Sequence, residues 1–113
     1  MAVATAYAEE VKRVQEIGVK TGEIAQATGS ATATVTAWAR SEREPTGQYR
    51  RRLLELVSLV ERLSQVMDAR YIPLWLQKPV PALDDDRPLD ALAKGRYRRV
   101  SRLVAELENE SFS

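Results

Sequence analysis

The stretch TGEIAQATGSATATVTAWARSEREP, residues 21–45, decides the fold. Ile24 and Ala25 face inward on a first segment of about two turns, with Glu23 favourably placed in the first turn and Thr21 as the expected cap. Gly29 supplies a backbone conformation that a side chain would disfavour, so this segment ends there. A second segment starts near Ser30 or Ala31. Its apolar anchors, Val35 and Trp38, lie three apart and plug into the first segment, and Ala25 is small where the two approach. Thr32, Ala33, Thr36, Ala37 and Arg40 are left on the outer face, and Pro45 forbids continuation. Two short helices clamped across a glycine turn can present such an outer face to a DNA major groove.

The pattern continues helically in both directions. Upstream, Val3, Tyr7, Val11, Val14 and Ile17 recur at spacings of three and four until Gly18 offers a left-handed stop. Downstream of Gly47, the residues Tyr49, Leu53, Leu56, Val57, Val60, Leu63 and Met67 share one face of a helix of about five to six turns. Pro73 opens a short helix carrying Leu74, Trp75 and Leu76, terminated by Pro79 and Pro81. Lys78 to Arg87 form a loop, Pro88 opens another short helix from Leu89 to Lys94, and Gly95 closes it. The last helix carries Tyr97, Val100, Leu103, Val104 and Leu107 and runs into a polar, acidic tail. Nothing alternates as a strand would. The expected fold is all-α, with about seven helices. An N-terminal helix-turn-helix bundle, residues 1–68, is joined by the long helix to a small C-terminal helical domain, residues 69–113.

Composition narrows the function. The chain has 113 residues, 44% hydrophobic and 29% charged, as folded helical domains do. It contains neither cysteine nor histidine, which removes the commonest general base, the commonest transition-metal ligand and the most reactive nucleophile. Glu9 and Glu10 are an ordinary solvated pair, and Asp84-Asp85-Asp86 lacks the spacing and glycine of a calcium loop. No enzyme activity, cofactor or metal is expected. No run of about 18 apolar residues exists, and MAVATAYAEEVKRV does not read as a signal peptide, so a cytoplasmic protein without membrane contact is expected.

Seventeen cations against sixteen anions leave a net charge of only +1, so placement matters more than total. Arg40 and Arg43 follow the outer helix, and Arg50, Arg51 and Arg52 begin the long one. These are candidate phosphate ligands, partly offset by Glu42 and Glu44. The outer residues Thr32, Ala33, Thr36 and Ala37 offer only hydroxyls and methyl groups, so modest base discrimination is expected. In the C-terminal half, Lys94, Arg96, Arg98, Arg99 and Arg102 are five cations with no acid between them. Their mutual repulsion would be relieved by an acidic partner surface or nucleic acid, or balanced in part by Asp90 and Glu106.

Two motif sets carry a resemblance. Residues 23–45, with Gly29, Val35, Trp38, Arg40 and Pro45, resemble the helix-turn-helix of Xre (Cro/C1-type) repressors. The succession Leu74-Trp75-Leu76, Pro79, Leu83, Arg87-Pro88-Leu89, Leu92, Gly95, Val100, Leu103 and Leu107 resembles the toxin-binding domain of the Xre/MbcA/ParS antitoxins. The two occur in that family's order and cover about Val11 to Phe112. The resemblance implies an antitoxin that binds and silences a RES-domain toxin, an NAD-degrading enzyme, and represses its own operon. It further implies toxin contact through the last helix and tail, where Lys94, Arg96, Tyr97, Arg98, Arg99, Arg102, Glu110, Phe112 and Ser113 are the candidates. Glu110 departs from the glycine common there. Paired operator half-sites imply a homodimer, and relatives form larger toxin-antitoxin complexes. The competing reading is a stand-alone regulator whose C-terminal half only dimerises.

Overall fold

Helix α4 (Gly47–Ser64) is the axis of the molecule. Leu53, Leu56, Leu59 and Leu63 are fully enclosed along it, and Val57 and Val60 nearly so. In this computed structural model, which describes residues 2–112 and side-chain surroundings for residues 5–111, α4 is packed by α2 (Thr21–Thr28), α7 (Tyr97–Phe112) and α1 (Ala2–Ile17), with α5 (Ile72–Gln77) and α6 (Pro88–Ala93) also against it. That explains Leu59, which lies off the stripe read from sequence yet is fully buried. A helix covered from several sides hides a wider arc than an amphipathic stripe implies. Tyr49, at the exposed start of α4, and Met67, beyond its end, are only partly covered.

The other α-helices are α1 (Ala2–Ile17), α2 (Thr21–Thr28), α3 (Thr32–Ala39), α5 (Ile72–Gln77), α6 (Pro88–Ala93) and α7 (Tyr97–Phe112). Single 3₁₀ turns at Ala69–Tyr71 and Pro81–Leu83 complete the element order. No strand occurs among the described residues, so the all-helical expectation holds. The second 3₁₀ turn buries Leu83 inside what sequence reads as a plain loop. One continuous core runs from Val11 and Val14 of α1 to Val100 and Val104 of α7, drawing on residues 1–68 and 69–113 alike. Val3 lies outside the residues whose side chains are described.

Local signals place the ends of α2 and α3, with two corrections. Lys20, not Thr21, is the N-cap of α2: the Glu23 carboxylate accepts the Lys20 N–H at 2.8 Å. Thr21 is the first helical residue, and its hydroxyl accepts a hydrogen bond from Gln15 Nε2 at 3.0 Å. The far end follows the reading, because Gly29 adopts φ +78 and its N–H reaches the Ala25 carbonyl. Helix α3 stops at Ala39, well before Pro45. Its stop is Ser41 in left-handed geometry (φ 60), with the Ser41 and Glu42 N–H groups returning to the carbonyls of Trp38 and Ala37. Such backbone closure satisfies the last carbonyls without proline.

Val35 and Trp38 are buried as read. Trp38→Ala should therefore cost roughly 3 to 5 kcal/mol, the range for emptying a large aromatic from a core. Chemical denaturation checks this, and an unchanged midpoint would mean that Trp38 does not clamp α3 in place.

Candidate functional site

The outer face of α3 is only partly open. Thr32, Ala33 and Arg40 are exposed, whereas Thr36 and Ala37 are half-buried. The α3–α4 loop brings Arg43 alongside, and the first turns of α4 present Arg50 and Arg51, all three exposed. None of Arg40, Arg43, Arg50 and Arg51 forms an ion pair with a described carboxylate. Between the α2–α3 turn and the start of α4 lies a pocket of about 260 Å³, lined by Ser30, Thr34, Trp38, Arg43 and Tyr49 among others. Four exposed guanidinium groups outside any ion pair, of which Arg51 is attracted to Glu55, form a surface suited to polyanions.

Arg52 does not belong to that surface. It turns inward, half-buried, and Nη1 donates to the Ala93 carbonyl at 2.5 Å. Its guanidinium lies between two glycine turns: a Cβ added at Gly29 would stand 3.9 Å from Nη1, and one at Gly95 3.3 Å from Nη2. A cation at a helix C-terminus satisfies an orphan carbonyl and meets the negative end of the dipole. The residue read as a phosphate ligand is instead a strut between the α2–α3 turn and the α6–α7 junction.

Arg52 is one of three polar ties across this seam. Gln26 Nε2 donates to Asp90 Oδ1 at 2.5 Å, while Arg87 grips both oxygens of Asp90 at 2.8 and 2.9 Å. Gln77 donates to the Glu23 carboxylate. The Arg87 bonds hold the Asp90 carboxyl below its usual range. Asp90 is therefore balanced chiefly by Arg87, with Lys94 as a lesser partner.

The C-terminal cations divide into two groups. Lys94 pairs with Asp86 at 2.8 Å, and Arg99 with Asp84 at 3.1 Å while also donating to the Ala82 carbonyl. Arg96 lies 3.9 Å from both Asp84 and Asp86. The aspartate run thus neutralises three of the five cations from within the chain, and Asp90 adds a weaker attraction to Lys94. Arg98 and Arg102, exposed and one helical turn apart, pair with no described carboxylate. Tyr97 is half-buried against the core. Glu110 is exposed on the last turn of α7, and the Phe112 side chain and Ser113 lie outside the described residues.

A tie not apparent from sequence holds α7 to α4. Arg62 contacts Glu108 through Nη2–Oε1 at 2.7 Å and Nε–Oε2 at 3.1 Å, and Nη1 donates to the Ser101 hydroxyl at 2.7 Å. These bonds hold the Glu108 carboxyl below the usual glutamate range and raise the Arg62 guanidinium. A carboxyl depressed in the folded state adds stability above its unfolded value, near 4.5, and loses it as pH falls through the folded one. Glu108→Gln should lower the melting temperature at neutral pH and narrow its gap from the unaltered chain on acidification. Melting curves from neutral to strongly acidic pH check this.

Among the described residues, no cluster of three or more His, Cys, Asp or Glu could hold a metal, and no helix is long and apolar enough to cross a membrane.

No family model matches the chain. In sequence it is similar to the mycobacterial cidal antitoxin MbcA of Mycobacterium tuberculosis and of Mycobacterium bovis, 23% identical over 91 residues, or 80% of either protein. In structure it is similar to a chain of the M. tuberculosis MbcT-MbcA toxin-antitoxin complex, with a TM-score of 0.79 and 23% identity. The match covers 91% of this chain and 94% of that one. The seven-helix arrangement, including the C-terminal helices folded against α2 and α4, is therefore a fold shared with a component of a toxin-antitoxin complex.

Proposed function

We propose that this chain is the antitoxin of a toxin-antitoxin pair. The observation that carries the reading is similarity along most of both proteins: antitoxins in sequence, a toxin-antitoxin complex in fold. Residues 69–113 engage the toxin, which the resemblance read from sequence makes a RES-domain, NAD-degrading enzyme. The chemistry belongs to that partner, and this chain supplies a surface. Arg98 and Arg102 are its principal electrostatic contacts, because Lys94, Arg96 and Arg99 already face Asp84 and Asp86. A charge that gains its first partner at an interface contributes more than one that must exchange partners.

Residues 1–68 form an Xre-like helix-turn-helix domain that represses the operon. Thr32, Ala33 and the open edges of Thr36 and Ala37 meet the bases, and Arg40, Arg43, Arg50 and Arg51 meet phosphates. Support comes from the exposure of all four arginines, none of them in an ion pair within 4 Å of a described carboxylate, and from the glycine turn between α2 and α3. Two half-sites require two copies, so the DNA-bound form is a homodimer, within which larger toxin-antitoxin assemblies are built.

Co-expression with the toxin encoded by the adjacent reading frame tests the first half of the proposal. The full chain should restore growth, and Arg98→Glu with Arg102→Glu should abolish rescue. A chain ending after Asn109 keeps the Arg62–Glu108 tie and so isolates the contribution of the tail; rescue equal to that of the full chain would remove Glu110, Phe112 and Ser113 from the contact. The second half is read by DNA titration at several salt concentrations. Arg40→Ala should weaken operator binding and reduce the salt slope by about one, with the melting temperature unchanged. Undiminished binding by an Arg40→Ala, Arg43→Ala variant would refute DNA contact through this face.

A further inference from the structure

The pocket between the α2–α3 turn and the start of α4 is bounded by a hydrogen-bond donor that the chain leaves unmet. Trp38 lines this pocket and is only 2% exposed. Its indole N–H can donate but not accept, and it bonds to no group among the described residues. Every sealed side-chain nitrogen or oxygen among those residues does have a partner. The indole nitrogen therefore reaches open space, and the pocket is the opening that Trp38 lines. A tryptophan this enclosed ordinarily sets its N–H against an acceptor. Here the acceptor has to come from outside the chain.

The rest of the wall favours an acceptor that carries negative charge. Thr34, Thr46 and Tyr49 line it, and their hydroxyls bond to no described group. Ala31 and Thr46, the N-caps of α3 and α4, also border the pocket, and neither supplies a side-chain cap. The positive ends of two helices are thus left without a capping oxygen. Arg43, exposed and outside any ion pair with a described carboxylate, adds a full charge. Glu44 is the one acidic residue lining the pocket among the described residues, and it disfavours an anion of more than one charge. Pro45 and the Tyr49 ring, 39% exposed, supply apolar surface. A volume of about 260 Å³ falls just short of drug-sized sites, about 300–1,000 Å³, and suits a small metabolite.

We infer that this pocket binds a small organic monocarboxylate with a planar apolar body. The carboxylate accepts from the Trp38 indole N–H and the Arg43 guanidinium, and the body lies against the Tyr49 ring. A phosphate of the operator has similar charge, but it sits on the outside of a wide duplex. It meets the exposed Arg43 and leaves the enclosed indole unmatched. Because Arg43 would serve ligand and DNA alike, the bound acid weakens operator binding. That consequence rests on the DNA-binding reading of the α3 face; the site itself does not.

The test is a proton–nitrogen NMR titration of the full chain with phenylacetate. The chain has two indole N–H groups, those of Trp38 and Trp75, and a Trp75→Phe variant tells them apart. The Trp38 signal should shift saturably while that of Trp75 stays in place. Tyr49→Ala should weaken binding about fivefold through loss of the ring contact, and saturating phenylacetate should weaken operator binding by the unaltered chain. A Trp38 signal unmoved by millimolar phenylacetate refutes the site. Inorganic phosphate that shifts it equally well refutes the choice of an organic acid. Operator DNA that moves the signal where phenylacetate does not makes the pocket part of the DNA contact, which also overturns the proposal. A saturable shift in a chain that does not bind its operator at all removes the DNA reading and upholds the pocket. Operator affinity unchanged at saturating phenylacetate refutes the antagonism.

Discussion

Helix α2 is eight residues long, and a helix of two turns has little stability of its own in water, because nucleation costs more than so few bonds return. It is held from outside. Ile24, Ala25, Ala27 and Thr28 are buried, with α3 and α4 on one side and α6 on the other. This two-sided cover is the constraint on which the rest depends. Without α6, a face of α2 would be bare; without α2, the six-residue α6 would lose its floor. The alanines of α2 permit the close approach, and Thr28, the one polar residue buried among the described residues, returns its hydroxyl to the Ile24 carbonyl.

The polar ties over that contact follow the same logic. Arg52, Gln26 and Gln77 each bridge the N-terminal and C-terminal segments, meeting either a helix-terminal carbonyl or a carboxylate that a local partner also holds. Arg52 reaches Ala93 because Gly29 and Gly95 leave room for its guanidinium. A side chain at Gly95 would need both a left-handed backbone and space that Arg52 occupies. The α3 face and the α7 face are thus built on one continuous core instead of on separate lobes joined by a linker. Such faces keep a fixed mutual orientation, since relative motion of domains requires an interface poor in apolar contact.

Electrostatics on the C-terminal side is set by pairing between distant segments. Asp84 and Asp85 take left-handed backbone geometry, which tightens the loop and carries Asp84 and Asp86 to the start of α7. There they neutralise Lys94, Arg96 and Arg99. What remains positive is a narrower feature than a run of five cations, namely Arg98 and Arg102 on the solvent side of α7. Arg62 and Glu108 meanwhile tie α7 to α4.

Periodicity alone was enough for the all-helical class, the glycine stop of α2, the burial of Val35 and Trp38, the long α4 and the order of the short C-terminal helices, because each depends on spacing within about one or two turns. Local pattern also exposed the cationic side chains near α3 and α7. It could not assign Arg52, Asp84, Asp86, Arg62 or Glu108, whose partners lie 8 to 46 residues away, nor see that Leu59 is enclosed or that Leu74 is not. Chain folding alone decides which remote groups meet, and a residue's charge or hydropathy is satisfied by whatever that folding places opposite it. The sequence by itself determined which segments are helices and the glycine stop of α2; the tertiary structure decided which of their charges are neutralised within the chain and which stay exposed.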